Sequence, residues 1–162
     1  MVSLIGCAPH TNFANKLHDR GYSGAVVGMS AKQISNILMT EVTEELWSPP
    51  EEKYYCYYIY PNNIGEDLHI MISEEKAIRF EVRSSKLETV IGVKVGDTEE
   101  SVLKKLHGNI KVGNHPYEEE GGKYILLKTN DNYGFLVETR NKVVTEIRSG
   151  DLSAIQFIEG CL

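Results

Sequence analysis

The side chains able to do chemistry are five histidines, three cysteines and a large set of carboxylates. His10, His18, His69, His107 and His115 fall in no HExxH or HxH arrangement, so no helix presents a metal pair. Each is expected on the surface or satisfied by internal hydrogen bonds. The chain has neither a GxSxG elbow nor a P-loop. Its acids cluster at Glu44-Glu45, Glu51-Glu52, Glu66-Asp67, Glu74-Glu75 and Glu118-Glu119-Glu120, mostly at turn signals where charge is solvated. A glycosidase needs two carboxyls held across a cleft, and spacing along the chain does not supply that placement. The residues therefore predict no catalytic constellation, no metal and no cofactor, and the protein is expected not to be an enzyme.

The cysteines, Cys7, Cys56 and Cys161, contain no CxxC pair, so the spacing for zinc or thioredoxin-type chemistry is missing. Leu4-Ile5-Gly6-Cys7 has the form of a bacterial lipobox, in which Cys7 would carry lipid. A basic n-region and an apolar h-region do not precede it, and a chance match is the alternative. If Cys7 is lipidated, Cys56 and Cys161 remain as an even pair, which an oxidising compartment would join, pinning the carboxyl end across the first half of the chain. The alternative is that Cys56 is a small buried hydrophobe and Cys161 a free thiol.

The 162 residues carry a net charge of -6 with a pI near 5.4. Lys and Arg are scattered, so there is no basic stripe for nucleic acid and no polybasic patch for an anionic membrane. Any membrane contact is expected through a lipid on Cys7 alone. An acidic surface suits a basic or neutral protein partner, and Glu118, Glu119 and Glu120 are candidate contacts. Nine tyrosines are present, and the densest run is Tyr54 to Tyr60. In a strand, Tyr55, Tyr57 and Ile59 share one face, and Tyr54, Cys56, Tyr58 and Tyr60 the other. Tyr55 and Tyr57 are candidate partner anchors; the alternative is that the rings pack the core and keep their hydroxyls at its margin.

These groups are placed by an internal repeat. Val27-Gly28-Met29-Ser30-Ala31-Lys32-Gln33-Ile34 matches Val95-Gly96-Asp97-Thr98-Glu99-Glu100-Ser101-Val102, and Glu81-Val82-Arg83-Ser84 matches Glu146-Ile147-Arg148-Ser149, in the same order. Ser30 and Thr98 are suited to cap helices, Ser30 with Gln33 as a capping box. Strands are expected at 54–60, 68–72, 77–82, 123–129, 133–139 and 142–148, separated by turn signals such as Glu74-Glu75-Lys76 and Arg140-Asn141-Lys142. The expected fold class is α+β: a tandem repeat of a helix, or helix pair, packed on an antiparallel β-meander. The expected units are an N-terminal tether over 1–22, with a possible short helix from 12 to 22, a first repeat over 23–88 and a second over 89–162.

The V-G-[MD]-[ST]-x-x-x-[IV] opening followed by a meander resembles the repeat of the β-lactamase-inhibitory protein family. It is also similar to the single-copy outer-membrane assembly lipoproteins of the BamE/SmpA type. The resemblance covers about Val26 to Ser149. It implies a concave sheet that meets a partner, with a hairpin over Pro61 to Asp67 entering an enzyme cleft, which makes Asn62, Asn63, Glu66 and Asp67 candidate contacts. The inhibitors keep disulfides inside their repeats, and these cysteines do not reproduce them, so β-lactamase specificity is not carried over. The expected function is a non-catalytic protein-binding module of the bacterial periplasm or the inner face of the outer membrane. It would be an inhibitor or immunity protein blocking an enzyme or toxin with a basic surface; the alternative is an envelope-assembly scaffold.

Overall fold

The computed structural model describes residues 13–46, 56–117 and 121–161. The chain begins with three short strands, β1 (Lys16–His18), β2 (Gly21–Tyr22) and β3 (Ala25–Val26), and then helix α1 (Ala31–Leu38). Four strands follow: β4 (Val42–Leu46), β5 (Cys56–Pro61), β6 (Leu68–Ser73) and β7 (Lys76–Val82), with a short 3-10 turn at Gly65–Asp67. After β8 (Glu88–Thr89) and helix α2 (Glu99–Lys105) come β9 (Asn109–Asn114), β10 (Lys123–Lys128), β11 (Tyr133–Arg140) and β12 (Val143–Asp151). Helix α3 (Leu152–Ile155) leads into the C-terminal tail.

Ser30 and Thr98 do begin helices. The Ser30 hydroxyl accepts from the Gln33 amide at 3.3 Å while Gln33 Oε1 accepts from the Ser30 amide at 2.9 Å, and the Thr98 hydroxyl accepts from the Ser101 amide at 3.2 Å. The α+β expectation is nevertheless overturned, because the chain is mostly β. Its strands form one sheet of eight in the order β4-β5-β6-β7-β12-β11-β10-β9, and a second of four in the order β3-β2-β1-β8. The physical reason lies in the helix lengths. Helices α1 and α2 have only eight and seven residues and fully bury one side chain each, Ile34 and Val102. Two turns of helix cannot cover eight strands, so the four-stranded sheet completes the cover.

The possible helix from 12 to 22 is also corrected: Lys16–His18 and Gly21–Tyr22 are strands, with Leu17 opposite Tyr22. A two-residue strand leaves no periodicity to read. Strand β8 pairs with β1 in parallel through Lys16↔Glu88 and Leu17↔Thr89.

Two turn signals are realised closely. Glu74 and Glu75 have φ of 48° and 65°, and Asn141 and Lys142 have φ of 49° and 64°. Each pair links strands whose flanking residues face one another, Ser73 with Lys76 and Arg140 with Val143. Positive φ at both central residues is the two-residue turn whose twist matches adjoining antiparallel strands.

The inner face of the large sheet supplies Tyr57, Ile59, Leu68, Ile70, Phe80, Val82, Ile125, Phe135, Val137 and Ile147 to the main core. Leu17, Tyr22, Ala25, Ile34 and Val102 meet them from the other layer. The two meanders join where β7 runs antiparallel to β12, with Val82 opposite Ile147 and Arg79 opposite Gly150. At this seam a Cβ on Gly150 would lie 2.4 Å from the Ile78 carbonyl oxygen, and the glycine has φ of 134°. Beside it, the buried Ser149 hydroxyl has no hydrogen-bond partner among the described residues.

These neighbouring positions should respond oppositely to alanine. Gly150→Ala is expected to cost roughly 1–3 kcal/mol in urea unfolding, from backbone strain alone. Ser149→Ala is expected to be neutral or to stabilise by up to about 1 kcal/mol, since it removes an unsatisfied buried hydroxyl.

Candidate functional site

The outer face of the large sheet is built from the positions that alternate with the core. In most sheets this face would be wetted and polar. Here it is polar and, at its centre, buried. Arg79, Glu81, Glu138, Glu146 and Arg148 are all nearly inaccessible, with Arg79 1% and Glu81 0% exposed.

The repeat explains their placement. Because β7 and β12 run antiparallel, the two E-x-R stretches meet head to tail, with Arg148 standing opposite Glu81 in the register. The guanidinium of Arg83 bridges the copies, 2.7 Å from Glu81 Oε2 and 2.6 Å from Glu146 Oε2. Arg79 Nη2 lies 2.6 Å from Glu81 Oε1 and donates to the Tyr58 hydroxyl, also at 2.6 Å; that hydroxyl donates on to Glu81 at 2.8 Å. Arg148 pairs with Glu146 through Nε and with Glu138 through Nη2 at 3.1 Å. Glu138 also accepts from Arg140 at 3.0 Å and from His115 Nε2 at 2.9 Å. His115 Nδ1 accepts from the Tyr117 amide at 3.1 Å, which fixes Nε2 as the ring's donor. Burial alone would raise the Glu146 carboxyl, but Arg148 and Arg83 outweigh it and hold it below its ordinary value. Burial would also lower the Arg148 guanidinium, and Glu146 reverses that, so its pKa is raised.

The C-terminal tail lies on this array. Arg79 Nη1 donates to the carbonyls of Ala154 at 2.9 Å and Phe157 at 3.3 Å, and Arg148 Nη1 donates to Phe157 at 2.8 Å. The end of the tail is joined to β5 by a disulfide between Cys56 and Cys161, whose Cα atoms are 5.4 Å apart. Tyr58, Met71 and Cys161 pack together there as a small second core.

Two concavities flank the array. One, of about 230 Å³, lies between sheet and tail, walled by Arg79, Arg83, Arg148, Tyr58, Tyr60 and His69. The other, of about 510 Å³, lies at the β4 end of the sheet and is lined by Thr43, Glu44, Glu45, Tyr60, Asn62, Gly65 and Glu66. In the second, the Tyr60 hydroxyl donates to Glu45, and Asn62 Oδ1 accepts from the Thr43 hydroxyl at 2.9 Å.

The residues singled out in the sequence are only partly brought together. Asn62 and Glu66 line the β4 notch, and Asn63 is exposed in the same loop. Asp67 instead holds Lys86 at 3.0 Å. Tyr57 is in the main core at 4% exposure, so the face it shares with Ile59 is the covered one; Tyr58 and Tyr60 are the tyrosines of the outer face. Tyr55, Cys7, Glu118, Glu119 and Glu120 lie outside the described residues. Sequence reasoning missed the Arg–Glu array, although the signal was present: the repeated E-x-R in two strands destined to pair. Among the described residues, no group of three His, Cys, Asp or Glu is arranged to hold a metal.

In fold, the chain is similar to the crystal structure of the uncharacterized protein yfeY from Escherichia coli. The TM-score is 0.53 with 11% identity, over 83% of this chain and 99% of that one. At that identity the likeness concerns the fold alone. No protein-family model matches the chain, and no curated protein matches it in sequence.

Two measurements test the array. Arg148→Met removes the buried cation shared by Glu138 and Glu146, leaving them to the half-exposed Arg140 and Arg83, and should cost about 3–5 kcal/mol in chemical denaturation. A carboxyl held below its ordinary value contributes fully above that value, about pH 4.3, and loses its contribution as the pH falls further. Stability should therefore decline on acidification below about pH 4.3, and Glu146→Gln, less stable at neutral pH, should show a shallower acid decline.

Proposed function

We propose that this protein is a non-catalytic protein-binding module of the bacterial envelope that captures a basic partner, such as an enzyme or toxin it blocks. The notch at the β4 end carries this reading. It combines three carboxylates, Glu44, Glu45 and Glu66, with an aromatic ring, Tyr60, and an amide, Asn62, in one concavity of about 510 Å³ beside an end strand of the large sheet. Glu44 and Glu45 are exposed on β4 itself. An arginine or lysine entering the notch would find charge-assisted acceptors and a ring face together, the chemistry that makes basic side chains strong anchors at interfaces. The loop over Pro61 to Asp67 forms one wall, which agrees with the contact region implied by the resemblance to the β-lactamase-inhibitory proteins.

The Cys56–Cys161 disulfide supports an oxidising compartment, where such bonds persist. Among the described residues no helix is long and apolar enough to cross a membrane. Attachment through a lipid on Cys7 is part of the same proposal.

The test is capture from envelope extract on immobilised wild-type protein and on a Glu44→Lys/Glu66→Lys variant, with the bound proteins identified by mass spectrometry. The expected result is a basic protein retained by the wild type and at least about tenfold depleted on the variant, the scale of losing a charge-assisted anchor. Its association with the wild type should slow as salt rises, because exposed charges are screened beyond about 10 Å at 0.1 M. Equal retention on both proteins, or association rates independent of salt, would refute the reading.

A further inference from the structure

We propose that the cavity between the large sheet and the C-terminal tail is a binding site for a small oxyanion of phosphate size. Among the described residues, its wall contains three arginines, Arg79, Arg83 and Arg148, and no acidic residue. The acids that pair with them, Glu81, Glu138 and Glu146, belong to the same network but do not line the cavity. The arginine members of these ion pairs, and not the acidic ones, therefore meet the cavity.

Arg79 and Arg148 are committed to their acids and to tail carbonyls. Arg83 is the accessible guanidinium of the wall: its side chain is 46% exposed, and its hydrogen bonds to Glu146 and Glu81 run from Nε and Nη2. The histidine in the wall senses this field. Burial lowers the His69 pKa, and the positive charge of Arg83 lowers it further. His69 Nε2 donates to the Glu66 carbonyl at 2.8 Å, which fixes the ring in the wall.

A volume of about 230 Å³ suits a phosphate, sulfate or acetate ion with its water, and is too small for a folded partner. The tail closes one side through Ile158, Gly160 and Cys161, so the ligand is a free ion and not a surface group of another protein. Guanidinium is the group best matched to such ions, because its planar fork meets two oxygens at once.

The disulfide-intact full chain is titrated with sodium phosphate, sodium sulfate and sodium acetate, following the His69 ring resonances by NMR, with sodium chloride at matched ionic strength as control. Saturable shifts of His69 are expected with an oxyanion and not with chloride. Tighter binding of phosphate or sulfate assigns a tetrahedral ion, and tighter binding of acetate assigns a carboxylate. Arg83→Gln should weaken binding about tenfold or more. Since that variant also disturbs Glu81 and Glu146, Ile158→Trp, which fills the mouth and leaves every ion pair in place, should weaken it to a similar degree. Chloride reproducing the shifts, no saturation with any oxyanion, or undiminished binding by Ile158→Trp would overturn the proposal. Neither variant touches Glu44 or Glu66, so failure here is separable from failure of the protein-capture reading.

Discussion

Arg79 and Arg148 each hold a carboxylate with one edge of the guanidinium and a tail carbonyl with another. This double use ties the second face of the molecule to its first. An arginine buried to 1% exposure would be costly to place on a sheet if it met only apolar neighbours. Paired with Glu81 and bonded to Ala154 and Phe157, it converts that cost into attachment of the tail, alongside the packing of Ile155 on Leu126 and Leu136. Replacing such pairs with apolar groups is often neutral in other proteins, so net stability is a weak reason for keeping them. The stronger reason here is placement: the array sets where the tail runs, and hence where the cavity beneath it opens.

The tail would otherwise be the least secured part of the chain, since α3 has four residues. Four attachments act together: the arginine donors, the packing of Ile155 on Leu126 and Leu136, the small cluster around Tyr58 and Met71, and the disulfide to Cys56 across 105 residues. A bond closing so long a loop restricts the unfolded chain strongly, by about 4–5 kcal/mol in the chain-entropy model. The notch at β4 and the cavity beneath the tail share Tyr60, whose ring stands between the acidic and the arginine-lined sides. A partner at one side and an ion at the other would therefore meet the same residue from opposite directions.

Much of this was legible in the sequence wherever a residue has one dominant physical preference. Ser30 and Thr98 cap because a hydroxyl before an amphipathic stretch has few better uses. Glu74-Glu75 and Asn141-Lys142 turn because alternating strands flank them at hairpin spacing. The strands β1, β2, β3 and β8 were hidden because two or three residues show no alternation. Strand β9 was hidden because it is largely exposed and polar. The α+β expectation failed because helix starts can be read from caps, whereas helix lengths of eight and seven residues cannot. The array escaped for a different reason. Arg and Glu alternating with Val, Ile and Phe read as a solvated strand face, and only the antiparallel meeting of β7 with β12 under the tail turns that face inward. The same alternation explains why Tyr57 went to the core while Tyr58 and Tyr60 took the outer face.

The central claim is that the buried charges act as one coupled array and not as independent surface polar groups. A double-mutant cycle on Arg79→Met and Glu81→Gln, read by urea unfolding with the disulfide intact, tests it most directly. The account predicts strongly non-additive losses, with a coupling energy above about 1 kcal/mol, the scale seen for residues sharing one network. Additive losses, with coupling within about 0.3 kcal/mol of zero, would contradict it.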